Sequence, residues 1–238
     1  MLIDLQADAL FFQALENGVG FAIHEERIVN PNFKYHFGAK AKLGITAGAD
    51  CWTLSAEFLH YHARTHTWDH MWRLHMGLGD ALLSRLWHTS NTLSLKPLWG
   101  LRYGEIRHKL KENSAICMKN KFWGLGPKMG FEGIFSICPP LDLFLRGAAS
   151  ILFGKCYLHQ DLSPLKFYDD FHQNRTLFES ALGLRFTSGC FYGQAAFEVH
   201  LFPGQNQLAH FTSTPGKYVT NQGDLSLHGL SFGLGACF

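Results

Sequence analysis

Apolar residues in this chain recur at every second position over strand-length stretches, and that periodicity limits what it can fold into more than any other feature. The run Leu230–Phe238 shows it most simply. Leu230, Phe232, Leu234, Ala236 and Phe238 share one side of an extended strand, and Ser231, Gly233, Gly235 and Cys237 share the other. In a water-soluble sandwich the crowded apolar side would be the inner one, opposed by polar residues. Here the opposite side is nearly bare, and a tilted strand of about 9 to 11 residues is long enough to cross the hydrocarbon of a bilayer. The pattern therefore predicts a membrane strand with its apolar side toward lipid.

Composition supports this expectation by exclusion. Of the 238 residues 47% are hydrophobic, 14% aromatic and 17% charged. No stretch approaches the roughly 18 consecutive apolar residues that a membrane-spanning helix needs, so a membrane protein of this composition has to be a barrel. No linker divides the chain, and residues 1–238 are expected to form one domain. The net charge of +2 argues against a nucleic-acid partner.

The alternation can be followed along the whole sequence. In the first strand Ile3, Leu5, Ala7, Ala9 and Phe11 oppose Asp4, Gln6 and Asp8. Residues 33–45 set Phe33, Tyr35, Phe37, Ala39, Ala41, Leu43 and Ile45 against Lys34, His36, Lys40 and Lys42, and Trp52, Leu54, Ala56 and Phe58 oppose Glu57. Residues 72–87 alternate through Trp72, Leu74, Met76 and Leu78 and then lose phase near Asp80. Five further strands are expected near 93–107, 121–137, 141–157, 176–186 and 191–202, followed by the closing one. Pro97 would remove a ladder hydrogen bond, so irregular pairing is expected there. Polar stretches at 25–32, 109–120 and 159–174 read as connections, against short turns at Thr46–Asp50, Cys138–Pro140 and Ser188–Gly189.

The fold class predicted is all-β: a single antiparallel up-and-down transmembrane barrel of about ten strands (range 8–12), with short periplasmic turns and longer outer loops. Trp52, Trp99 and Trp123 fall where an aromatic girdle would lie. A barrel this narrow has an interior largely filled by side chains. The expected lumen-lining residues are Lys34, Lys40, Lys42, Glu57, Lys96, Arg102, Lys128, Glu132, Asp142, Arg146, Glu179, Arg185 and Glu198. They either bias a narrow pore toward anions or pair with one another as a structural network.

Cys51, Cys138, Cys190 and Cys237 fall near short-turn ends and are candidate rim disulfides, within the barrel or to envelope partners, as an oxidising compartment permits. The alternative is that they are reduced apolar fillers. His60, His62, His66, His70 and His75 crowd one stretch but lack a carboxylate partner, and no metal site is assigned to them. Gly229-Leu-Ser-Phe-Gly233 matches the G-x-S-x-G string without the strand-to-helix turn which that nucleophile requires. No catalytic residue and no cofactor is expected.

Five segments, taken in order, are similar to the Legionella-type major outer-membrane protein family: Ala9–Gly18, Asp50–Phe58, Leu93–Arg102, Trp123–Pro127 and the Gly-Asp-Leu-Ser-Leu-His-Gly-Leu run from Gly223. The resemblance implies a pore-forming barrel of the bacterial outer membrane, without catalytic residues. Leu230–Phe238 also resembles the C-terminal signal of such barrels, which implies outer-membrane lipid and the barrel-assembly machinery as partners. Met1-Leu-Ile-Asp-Leu-Gln already reads as strand rather than as an export signal, so a signal lost upstream is expected if the chain is exported. Two other functions fit the same pattern: a non-conducting barrel acting as adhesin or scaffold through its loops, and a soluble barrel holding a hydrophobic ligand.

Overall fold

The computed structural model describes residues 2–16, 22–24, 27–29, 32–47, 51–67, 70–112, 116–162, 165–211 and 218–238. Its elements are all strands: β1 (Leu2–Glu16), β2 (Ala22–His24), β3 (Arg27–Val29), β4 (Asn32–Ala47), β5 (Trp52–Thr67), β6 (His70–Arg85), β7 (Trp87–His88), β8 (Leu93–Glu112), β9 (Ile116–Cys138), β10 (Leu141–Leu162), β11 (Leu165–Ser188), β12 (Phe191–Phe211) and β13 (Tyr218–Cys237). Ten of them pair antiparallel with their sequence neighbours, β6 pairing with β8 and β13 with β1, so the sheet closes on itself. At the seam Ile3 and Phe238 exchange backbone hydrogen bonds of 2.9 Å in both directions. The short strands β2 and β3 form a separate hairpin, and β7 pairs only with the start of β8.

The apolar side of the lower wall faces outward. Phe37, Leu43, Phe131 and Phe232 are 68, 44, 50 and 54% exposed, while Asp8, Arg102, Lys128 and Glu132 are buried inside. A soluble barrel would place these two groups the other way round.

β8 to β13 run to 20–24 residues. At about 3.3 Å per residue and a tilt near 40° such strands rise roughly 55 Å, about twice the apolar band of ~25 Å that a bilayer covers. The surplus is used by inverting the wall at mid-height. Along β8 the outward residues change from Trp99, Leu101 and Tyr103 to Glu105, Arg107, Lys109 and Lys111, and the inward ones from Lys96 and Arg102 to Ile106 and Leu110. The other strands change at a similar level: Phe58 gives way to His60 outside β5 while Glu57 gives way to Leu59 and Tyr61 inside, and Asp8 gives way to Leu10 and Phe12 inside β1. The lower half is thus apolar outside and charged inside, whereas the upper half is polar outside with an apolar core of Leu10, Phe12, Phe33, Tyr61, Trp72, Leu74, Met76, Ile106, Phe202 and Leu227.

Three expectations from the sequence are corrected, two by this inversion and one by a local irregularity. Trp72, Leu74, Met76 and Leu78 line the interior, because they belong to the upper half of β6. Phe33 is buried rather than outward: the β1–β4 register shifts between Gln13 and Leu15, and the Gln13 amide donates to the Phe33 carbonyl at 2.8 Å. The polar stretches 109–120 and 159–174 are mostly strand, with 113–115 and 163–164 outside the described residues. Positions 25–26, 30–31, 48–50 and 212–217, which include parts of other expected connections, also lie outside them. Pro97 sits where β8 passes from pairing with β7 at Leu95 to pairing with β6 at Leu98, which accommodates its missing N–H.

Close strand approach is required at Gly126, where a Cβ would stand 1.8 Å from the carbonyl oxygen of Ile151. Gly126→Val is expected to force β9 from β10 and lower stability by about 1–3 kcal/mol, the usual range for overpacking. Urea titration of the folded barrel measures it.

Candidate functional site: the charged lower lumen

The lower lumen is built from the polar parity of nine strands. Arg102, on β8, lies between two carboxylates: its Nε and Nη2 donate to Asp80 at 2.6 and 2.5 Å, and its Nη1 stands 2.9 Å from Glu179. Lys128 bridges the same two carboxylates at 2.7 Å each. His200 continues the chain, 3.1 Å from Glu179 and 3.5 Å from Glu198, and Lys40 joins Glu198 at 2.6 Å to Asp8 at 3.4 Å.

A second branch runs below. Glu132 contacts Arg146 at 2.9 Å and Arg185 at 3.2 Å, and Arg185 also donates to the Gln194 side-chain oxygen at 3.2 Å. Gln194 and Gln6 donate to Asp8, at 3.4 Å and at 2.7 and 2.8 Å, while the Tyr192 hydroxyl donates to Asp4 at 2.7 Å and Lys42 stands 3.5 Å from Asp4. Space for Asp8 comes from Gly233 on the facing strand, where a Cβ would overlap the carboxylate.

Of the lumen-lining residues expected from the sequence, Lys40, Lys42, Glu57, Lys96, Arg102, Lys128, Glu132, Arg146, Glu179, Arg185 and Glu198 face this interior, and Asp142 lies at its lower rim, accepting from Ser136 at 2.7 Å. Lys34 does not. It is exposed beside the irregularity that turns Phe33 inward, so its expected lumen position is corrected.

Asp4, Asp8, Asp80, His200, Tyr192, Gln6 and Gln194 complete the network and were missed as site residues. Asp4 and Asp8 already stood on the polar side of the first strand, and Asp80 marked the point where β6 loses its apolar phase. Adding them changes the electrostatics. Seven cations (Lys40, Lys42, Lys96, Arg102, Lys128, Arg146 and Arg185) now face seven carboxylates (Asp4, Asp8, Glu57, Asp80, Glu132, Glu179 and Glu198). No anion-selective excess remains among these fourteen groups.

The gaps between them enclose about 40 Å³ beside Lys40, Glu57 and Arg102, and about 20 Å³ beside Lys42, Lys96 and Glu132. Such volumes hold roughly one to a few waters. Above them the apolar core fills the barrel again, with the Tyr61 hydroxyl tied to the Phe12 carbonyl at 2.9 Å.

At the lower rim, Cys190 and Cys237 are neighbours, the Cys237 N–H donating to the Cys190 carbonyl at 2.8 Å. The six cysteines stand as thiols. His60, His62, His66 and His75 are strand residues on the outer wall, with the His60 and His75 Nε2 atoms 3.0 Å apart, and the side chain of His70 lies outside the described residues. No group of three or more potential metal ligands occurs among the described residues.

Solved structures with the same fold are bacterial outer-membrane barrels. The outer membrane protease OmpT of Escherichia coli superposes with a TM-score of 0.63 at 10% identity, covering 100% of this chain and 97% of that one. The translocator domain of the autotransporter NalP of Neisseria meningitidis gives a TM-score of 0.53 at 12% identity, with coverage of 99% and 88%. At these identities the likeness is one of fold alone. No curated protein sequence matches the chain. The family model described as Legionella pneumophila major outer membrane protein precursor matches residues 3–238. This β-barrel, with its lipid-facing lower belt, therefore belongs to the Legionella major outer membrane protein family.

Proposed function

We propose that this protein is a structural, non-conducting barrel of the outer membrane that holds a rigid polar upper half above the bilayer. The single observation carrying this is the packing of the interior among the described residues: a charge-balanced network below and an apolar core above, with water-sized gaps beside Lys40, Glu57 and Arg102 and beside Lys42, Lys96 and Glu132. A porin needs a continuous aqueous path, which roomier barrels provide at about sixteen strands. The upper half is a surface available to partners, in line with the scaffold function weighed from the sequence. We also propose that the chain acts without catalysis, and that Leu230–Phe238 engages the assembly machinery.

Liposome swelling with small sugars and amino acids tests the sealed lumen. Vesicles containing the protein should swell no faster than empty ones, and planar bilayers should show no stable conductance steps. Steady conductance from the wild-type protein would restore the porin function.

The rim cysteines give a further expected result. In the oxidising compartment Cys190 and Cys237 should cross-link to each other, two thiols losing two electrons and two protons to a periplasmic disulfide donor. Mass mapping of membrane-extracted protein, alkylated before digestion, should find the Cys190–Cys237 peptide pair. Recovery of both as alkylated thiols would exclude the bond.

A further inference from the structure

The outer wall above the belt carries charge unevenly. Strand pairing sets Arg64 opposite Arg73, Arg73 opposite Lys109, and Lys109 opposite Lys119. All four side chains are on the outward parity of β5, β6, β8 and β9. Directly opposed residues have Cβ atoms about 4.5–5.5 Å apart, and like charges so placed destabilise a sheet. Four cations therefore stand abreast in one row with no acidic residue in it.

The row beneath, His62, His75, Arg107 and Lys121, sets two more cations, Arg107 and Lys121, opposite each other. Glu105 lies beside this row and pairs with Arg107 at 2.6 Å and Lys121 at 3.0 Å, and Asp161 lies near Lys119 in the row above. The imidazole of His62 is held below its usual pKa by burial and then by Arg73, and that of His75 by burial and then by His60.

Below both rows Tyr103 and Trp123 end the apolar belt on β8 and β9. From Tyr103 the strand rises to Lys109 over six residues, roughly 15 Å in height at a strand rise of about 3.3 Å and the usual tilt. The face thus stands above the bilayer surface, where anionic headgroups attract basic clusters. Because it is continuous with the belt, an anion anchored in the membrane is delivered to it at high local concentration.

Resting on the membrane placement proposed above, we infer that Arg64, Arg73, Lys109 and Lys119, with Arg107 and Lys121 below, form a binding face for the phosphate groups of a phosphorylated glycolipid in the outer leaflet. The opposed cations are kept because the lipid phosphates neutralise them.

The test uses the full-length protein in detergent, with a bis-phosphorylated glucosamine-disaccharide lipid, the same lipid after phosphatase treatment, and inorganic phosphate as probes. Native mass spectrometry should show the phosphorylated lipid binding at least tenfold more tightly than the dephosphorylated one. R73Q/K109Q should reduce that binding to the dephosphorylated level, while the variant still folds to a heat-modifiable barrel and melts no lower than wild type without lipid. Equal binding of the two lipids, or undiminished binding by R73Q/K109Q, would overturn the inference. Full displacement by millimolar inorganic phosphate would also overturn it, since the face would then take free phosphate rather than lipid. Liposome swelling is independent of all these outcomes, so failure of this inference and failure of the sealed-barrel function remain distinguishable.

Discussion

Asp80→Leu is expected to destabilise the folded barrel by about 3–5 kcal/mol, the cost of leaving a buried charge without its partner. Asp80 is the shared acceptor of Arg102 and Lys128, and all three side chains are almost fully buried. With Asp80 gone both cations depend on Glu179, which also contacts His200. One positive charge is then uncompensated in a space with almost no water. Removing that charge as well should restore much of the loss, so Asp80→Leu/Lys128→Met is expected to recover at least half of it. Urea unfolding of liposome-inserted protein, followed by the gel shift between folded and heated forms, measures both variants. A loss below about 1 kcal/mol for Asp80→Leu would mean that the pairs are solvated, contrary to the usual cost of breaking a buried pair, and that the lumen is wet.

The second large effect concerns the outer wall. Leu101 and Lys109 point outward from the same strand, eight residues apart, and the inversion places Leu101 in the lipid belt and Lys109 above it. Leu101→Lys is expected to cost about 1–2 kcal/mol, because Leu101 lies only about 5 Å inside the Tyr103 end of the belt, where the cost of a cation has fallen from its mid-membrane value of about 2–4 kcal/mol. Lys109→Leu should change stability by no more than about 0.5 kcal/mol, as surface substitutions do. Inward substitutions on this strand should show the opposite order: Leu110→Lys puts a charge into the apolar core and is expected to be far more costly than Lys96→Met at the lower level. Equal costs at positions 101 and 109 would mean that the belt does not end between them.

The strand count and the lower half could be read from the sequence because period two separates the residues of a strand into two faces. Leu143, Leu145 and Phe153 fall outward, and Arg146 falls inward, as the alternation required. The period does not say which face is inside, and the sign was carried from strands whose lower half is most apolar. That assumption failed wherever a strand continues above the bilayer. On β6 the interior runs from Asp80 below to Trp72 above, so the blurred phase at Asp80 marked a change of environment. On β8 the exchange was visible in principle, since Arg102 is followed on its own parity by Ile106 and Leu110 while Tyr103 is followed by Arg107 and Lys109. Polar residues at every second position made 109–120 resemble a connection. Lys34 was misplaced for a different reason: a one-residue irregularity between β1 and β4 leaves no trace in composition or period. The interior carboxylates Asp4 and Asp8 stood in plain sight, and Lys42 and Lys40 reach them from the adjacent β4, but Tyr192 and Gln194 come from β12, which only the pairing of β13 with β1 brings to them.

The inverted wall is tested most directly by tryptophan quenching with brominated lipids, in proteins retaining or carrying a single tryptophan. With Trp99 alone, or Leu125→Trp alone, bromine on the acyl chains should quench strongly, because both positions face the belt. With Arg107→Trp or Lys111→Trp alone, the same lipids should leave emission nearly unchanged and aqueous iodide should quench it instead. Strong acyl-chain quenching at positions 107 and 111, or iodide quenching at 99 and 125, would contradict the assignment of a lower half in lipid and an upper half in water.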